Sequence, residues 1–170
     1  MFEEVNVPIV TAVAGFGIVS AFVDIRTRRV PNPLTLGIAV TGLALAATRW
    51  SGLSVATAAL GLAVGIALML LPYVFGAMGG GDVKLFAALG TFLGPWPTVQ
   101  AFLYTLLAGG LLAVWVALQR RRLRETVTNA AVLVKTAGAN ASAIEHPASN
   151  NRFAYAPAIV VGTVAAALGF

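Results

Sequence analysis

Cysteine is absent from the 170 residues, which excludes disulfides, thiol catalysis and Cys-ligated zinc. Histidine occurs once, as His146 between Glu145 and Pro147 in a polar stretch. A metal site needs several convergent N, S or O ligands, so neither a metal nor a cofactor is expected. A serine nucleophile would need a nearby base, but Lys84 and Lys135 have no adjacent serine and no H-E-x-x-H run is present. Charge is scarce as well. Only 10% of the residues are charged, against about a quarter in soluble domains. With 59% hydrophobic residues and a mean hydropathy of +0.89, the natural solvent of the chain is a bilayer. The net charge of +5 would suggest nucleic acid in a soluble protein. Here the basic residues sit in short clusters between apolar runs, with no aromatics interleaved, and read as topology signals; no nucleic-acid partner is expected. The start, Met1-Phe2-Glu3-Glu4, lacks the positive n-region of a cleavable signal peptide.

What is abundant is apolar sequence. A helix needs about 20 apolar residues to cross a bilayer. Six spans are predicted, at about 5–23, 33–48, 53–76, 83–93, 97–118 and 153–170, giving an all-α membrane protein. The fourth is short, about 16 Å of helix, and follows a glycine loop. It is either tilted and continued by Gly94-Pro95-Trp96-Pro97 or buried among the other helices. With both termini outside, Arg26, Arg28, Arg29, Lys84, Arg120, Arg121, Arg122, Arg124, Lys135 and Arg152 share the cytoplasmic side. Only Arg49, beside Trp50, falls opposite, together with Glu3 and Glu4. That asymmetry supports both the span count and the orientation, and with them a multi-pass protein of the cytoplasmic (inner) membrane. The chain reads as one domain, 1–170, with a cytoplasmic loop at about 119–152. Within it Val127 to Val134 could form an interfacial helix, and Ala139 to Asn151 reads as loop.

Of six acidic residues, Glu3, Glu4, Glu125 and Glu145 fall in loops or tails, whereas Asp24 and Asp82, the only aspartates, fall at the edges of apolar runs. Both are placed at cytoplasmic ends of spans. At the end of the first helix, Asp24 opposes the negative end of the macrodipole. Alone, it also reads as a headgroup-level acid paired with Arg26 or Arg28 in a solvated turn. Asp82 follows Gly79-Gly80-Gly81 and alone reads as a helix N-cap. Capping does not need three glycines, which maximise backbone freedom and permit close approach of another backbone. Lys84 in the first turn is unfavourable to the dipole. As a pair, two carboxylates sharing a site hold one proton between them. The ionised member can deprotonate a water while the protonated one polarises a carbonyl, which suits peptide hydrolysis. Buried acids beside a glycine-broken helix also occur in small proton-coupled transporters, although no internal repeat is visible.

The stretch Asp24-Ile25-Arg26-Thr27-Arg28-Arg29-Val30-Pro31-Asn32 resembles the first aspartate motif of type IV prepilin peptidases. Gly79-Gly80-Gly81-Asp82-Val83-Lys84 resembles the second, G-x-G-D followed by Lys. Arg152-Phe153-Ala154-Tyr155-Ala156-Pro157-Ala158 is similar to the start of the family's last helix. The resemblance implies a membrane aspartic endopeptidase that cuts the leader from prepilins or pseudopilins at the cytoplasmic face. Asp24 and Asp82 would be the catalytic pair, Gly79, Gly80 and Gly81 the loop presenting Asp82, and Lys84 a residue that tunes the pair or meets an acidic group of the substrate. Larger members carry a cytoplasmic domain with a Cys tetrad and also N-methylate the new terminus. Only Ile25 to Asn32 follow Asp24 before the second span, and there are no cysteines, so cleavage without methylation is expected. The compact form is similar to the small peptidases of Flp/Tad pilus systems, with archaeal preflagellin peptidases as an alternative. Asn32-Pro33 also reads as an N-cap and N1 proline opening the second span. Gly15 and Gly17, and Gly61 and Gly65, read as helix-packing positions.

Overall fold

The computed structural model describes residues 6–27, 29–75, 78–119 and 155–169. Those residues form six helices and no strand: α1 (Val7–Thr27), α2 (Asn32–Ala47), α3 (Val55–Val74), α4 (Gly80–Leu93), α5 (Pro95–Gln119) and α6 (Ala156–Ala167). By length and composition, three can cross a membrane: Val7–Thr27, Val55–Val74 and Pro95–Trp115. The other three are shorter, at 16, 14 and 12 residues. Most of the predicted loop 119–152, including Val127 to Val134 and His146, lies outside the described residues.

The helices are apolar on nearly every face, and what separates inside from outside is size and polarity. Large apolar side chains point outward, among them Ile18, Phe22, Leu107 and Leu111. Buried polar residues include Ser20, Thr91, Thr98 and Thr163. In water such a surface would aggregate; against lipid tails it is the matching solvent. These four hydroxyls cost little because they bond back to their own helix. Ser20 Oγ donates to the Phe16 carbonyl at 2.7 Å and Thr163 Oγ1 to that of Ile159 at 2.8 Å.

α4 is the centre. Leu85 through Leu93 are all buried, and Phe86, Leu89 and Phe92 are among the largest fully buried side chains. The short fourth helix is thus encased by the others rather than continued by the Gly-Pro segment. Gly94, at φ +78°, reverses the chain directly into α5, a conformation that favours glycine. α3 lies on α4 at near-backbone contact. A Cβ on Gly61 would overlap the Gly90 carbonyl, and one on Gly65 would lie 2.7 Å from the Ala87 Cα. The expected small-residue stripe is therefore a real crossing. Gly17 is likewise tight against Val160 of α6, whereas Gly15 faces open space and packs on nothing.

The contacts also order the helix directions. Asn32 meets Lys84 and Gly42 meets Thr91, so α2 and α4 run parallel. Gly61 meets Gly90 while Gly80 meets Tyr73, so α3 runs against α4. Asp24 meets Ala156 and Gly17 meets Val160, so α1 and α6 are antiparallel. α5 and α6 are antiparallel too, with Gly162 on Thr105 and Tyr155 on Gly109. The N-termini of α2, α4 and α6 consequently gather at one end of the bundle, where α1, α3 and α5 finish.

Candidate active site

That end holds every candidate residue. The Phe16 and Phe92 rings touch, with centroids 5.8 Å apart, and fix the relative height of α1 and α4. Asp24 lies eight residues beyond Phe16, and Asp82 ten residues before Phe92. At about 1.5 Å per residue both sit some 12–15 Å from that contact, at a common level. Asp24 is 5% exposed and Asp82 8%. Their charges are near enough to act on one another, and Asp82 is also within electrostatic reach of the Tyr155 phenol.

Neither aspartate takes the role it would have alone. Asp24 lies inside α1, one turn from its end, and is no solvated turn residue. Its Oδ2 accepts a hydrogen bond from the Ala156 N–H at 3.3 Å. The misfit with the dipole of α1 is offset because the carboxylate faces the positive end of α6. Arg26, a candidate partner, instead lies over the Phe22 ring, 4.6 Å from its centroid; Arg28 is outside the described residues. Asp82 is the third residue of α4, not its N-cap, which is Gly79. Its Oδ2 accepts from the Gly79 N–H at 3.1 Å, while its own N–H donates to the Gly79 carbonyl at 3.1 Å. The acid therefore does cap α4, from inside the first turn.

The glycine run is unlike the other tight glycines. None of Gly79, Gly80 and Gly81 has a positive φ. A Cβ on Gly80 would lie 3.6 Å from the Tyr73 ring, and one on Gly81 3.4 Å from Val30. Each position has room for a methyl group. Gly81 does approach the backbone of Val30, in the segment that follows Asp24.

Lys84 is exposed, and its Nζ donates to Asn32 Oδ1 at 2.9 Å. Asn32 is not the N-cap of α2. Pro31 holds that position, with φ −64° and ψ 139°, and Asn32 is the first helical residue. Pro31 makes no side-chain cap, and Pro33, the second helical residue, has a fixed φ suited to the first turn. The side chain of Asn32 is free to cross to α4. This link joins the two aspartate segments, and in the sequence it shows only as capping chemistry. Tyr155 and Ala156 were legible as part of a motif-like run, but nothing in the sequence pairs Ala156 with Asp24. Among the described residues no group of His, Cys, Asp and Glu could hold a metal ion.

A family model described as the type IV leader peptidase family matches residues 11–114. The chain belongs to the type IV leader peptidase family. The match takes in both aspartate segments and most of α1 to α5, and it stops short of α6. Searches of curated proteins and of solved structures return no match. Membership of a peptidase family, together with three helices able to cross a membrane, makes this leader peptidase family member a protease of membranes and displaces the transporter reading.

Proposed function

We propose that this family member is an aspartic endopeptidase that removes the leader of prepilin or pseudopilin substrates, with Asp24 and Asp82 as the catalytic pair. The observation that carries the reading is the burial of the only two aspartates of the chain at one level, from different helices, each held, among the described residues, by one backbone N–H. One such bond leaves each carboxylate with lone pairs to spare. In the reaction, the ionised member takes a proton from water as that water attacks the scissile carbonyl. The protonated member donates to the carbonyl oxygen, and the proton then passes to the leaving amine. Gly79 to Gly81 shape the turn that presents Asp82. The cluster of Arg26, Arg29 and Lys84 at this end supports a cytoplasmic site in a multi-pass inner-membrane protein. The lack of cysteine and of a large insertion after Asp24 supports cleavage without methylation.

Replacement of either aspartate by Asn preserves an acceptor for the backbone N–H and removes the proton chemistry. Purified Asp24→Asn and Asp82→Asn should each lower cleavage of a leader-bearing pilin by at least about 10³-fold, with unfolding temperatures close to that of the parent. Activity should fall at low pH, where both acids are protonated and no base remains, and at high pH, where both ionise and no donor remains. A cleaving Asn variant would remove the proposal.

A further inference from the structure

The last helix lies beyond the family match, and in sequence it is separated from α5 by residues outside the described set. Its first turn nevertheless contacts Asp24. Ala156 is fully buried, and its N–H is the donor to the carboxylate. The turn has no second donor to offer. Pro157 lacks an N–H, and the N–H groups of Ala158 and Ile159 are taken by the Tyr155 carbonyl at 3.0 and 3.2 Å. With both partners buried, loss of this bond would leave the carboxylate short of a donor that water does not replace.

The placing of that donor is a packing matter. Tyr155 precedes Ala156, and its ring lies flush on Gly109 of α5, where a Cβ would come within 2.6 Å of Cζ. The phenol hydroxyl donates to the Thr105 carbonyl at a long 3.5 Å. Two turns along, a Cβ on Gly162 would lie 2.5 Å from the Thr105 backbone nitrogen and 2.7 Å from the Ala101 carbonyl oxygen. At this crossing Thr105 Oγ1 is buried with no hydrogen-bond partner among the described residues. Two small-residue contacts therefore seat α6 on α5 and aim its first N–H at α1.

We infer that Tyr155 and Ala156 are positioning residues for Asp24, with the Tyr155 ring on Gly109 setting where the Ala156 N–H stands. The inference rests on the reading of Asp24 as one of the catalytic pair. α5 and α6 then form a fixed frame, and the first aspartate is held in place from a helix other than its own.

The experiment uses the full chain in detergent and a leader-bearing pilin peptide, with kcat, KM and the pH profile of kcat as readouts. Ala156 is replaced by lactic acid through nonsense suppression, which turns the amide N–H into an ester oxygen and changes little else. Loss of a bond to the charged carboxylate favours its protonation. The acidic limb of the kcat profile should then move to higher pH, and kcat should fall about tenfold, the value of one buried hydrogen bond of about 1.4 kcal/mol, with KM within about twofold. Tyr155→Ala should give the same signature, and Tyr155→Phe, which keeps the ring, should recover most of the loss. An ester variant with the parental kcat and pH profile would overturn the inference. So would a Tyr155→Ala variant that changes KM alone, or one that loses activity only in proportion to its folded fraction. Asp24→Asn separates the two levels: if inactive beside an unperturbed ester variant, only the positioning role fails, and if active, the catalytic reading fails with it.

Discussion

In the proposed reading Asp82 is both a cap and an acid of the reaction, and substitutions can separate the two. As a cap it accepts the Gly79 N–H, which asparagine can also do. Asp82→Ala should therefore cost about 0.5–2 kcal/mol of stability that Asp82→Asn does not, while both abolish cleavage; thermal unfolding beside activity makes the comparison. Lys84 and Asn32 offer a second test. Their bond spans 52 positions of sequence and ties the segment after Asp24 to the turn that carries Asp82. Lys84→Met and Asn32→Ala should each lower kcat/KM by about three- to tenfold. The double variant should do no worse than the more damaging single one, because both remove the same hydrogen bond. Additive losses in that cycle would instead mean that Lys84 meets the substrate independently of Asn32. Both aspartates could be found from sequence because an acid at the edge of an apolar run is conspicuous. Their donors could not, since Gly79 and Ala156 contribute backbone N–H groups, and a backbone group has no letter of its own.

Glycine has two different uses in these helices. Along α3, Gly61 and Gly65 let α4 approach until backbones touch, and any side chain there must push a helix away. Gly61→Leu should lower stability by about 1–3 kcal/mol, with activity falling in step. The run at the start of α4 should behave otherwise. A methyl group on Gly80 fits against Tyr73 and favours the helical backbone, so Gly80→Ala should unfold no sooner than the parent. If the run is open for a substrate backbone, the same variant should raise KM several-fold. A loss of stability in Gly80→Ala with KM unchanged would make the run structural. Sequence spacing alone separates these uses poorly: Gly15 and Gly17 look as much like a packing pair as Gly61 and Gly65 do, but Gly15 faces outward. The difference depends on which face of α1 meets α6, and an apolar helix with no polar face does not reveal that.

On the scale of the whole molecule, three short helices start where three long ones end. Each helix N-terminus carries about half a positive charge, and those of α4 and α6 each hold one aspartate. The fold thus supplies, from backbone alone, donors for two buried acids. The span pattern was legible because apolar runs and charged gaps alternate; the central place of α4 was legible only as one of two options, from its shortness, because α4 is no more apolar than its neighbours. The orientation across the membrane can be tested with unusual clarity because the chain has no cysteine. Single cysteines at Arg29, beside the site, and at Trp50, in the α2–α3 turn, are both exposed and mark opposite ends. In intact cells stripped of any outer barrier, an impermeant maleimide should label Trp50→Cys at once and Arg29→Cys only after the membrane is opened. The reverse pattern would place the aspartates on the outer face, where a leader removed before export never arrives. Cleavage at the cytoplasmic face would then be untenable even if both Asp→Asn variants were inactive. The labelling experiment therefore tests the side on which the reaction occurs separately from the chemistry that performs it.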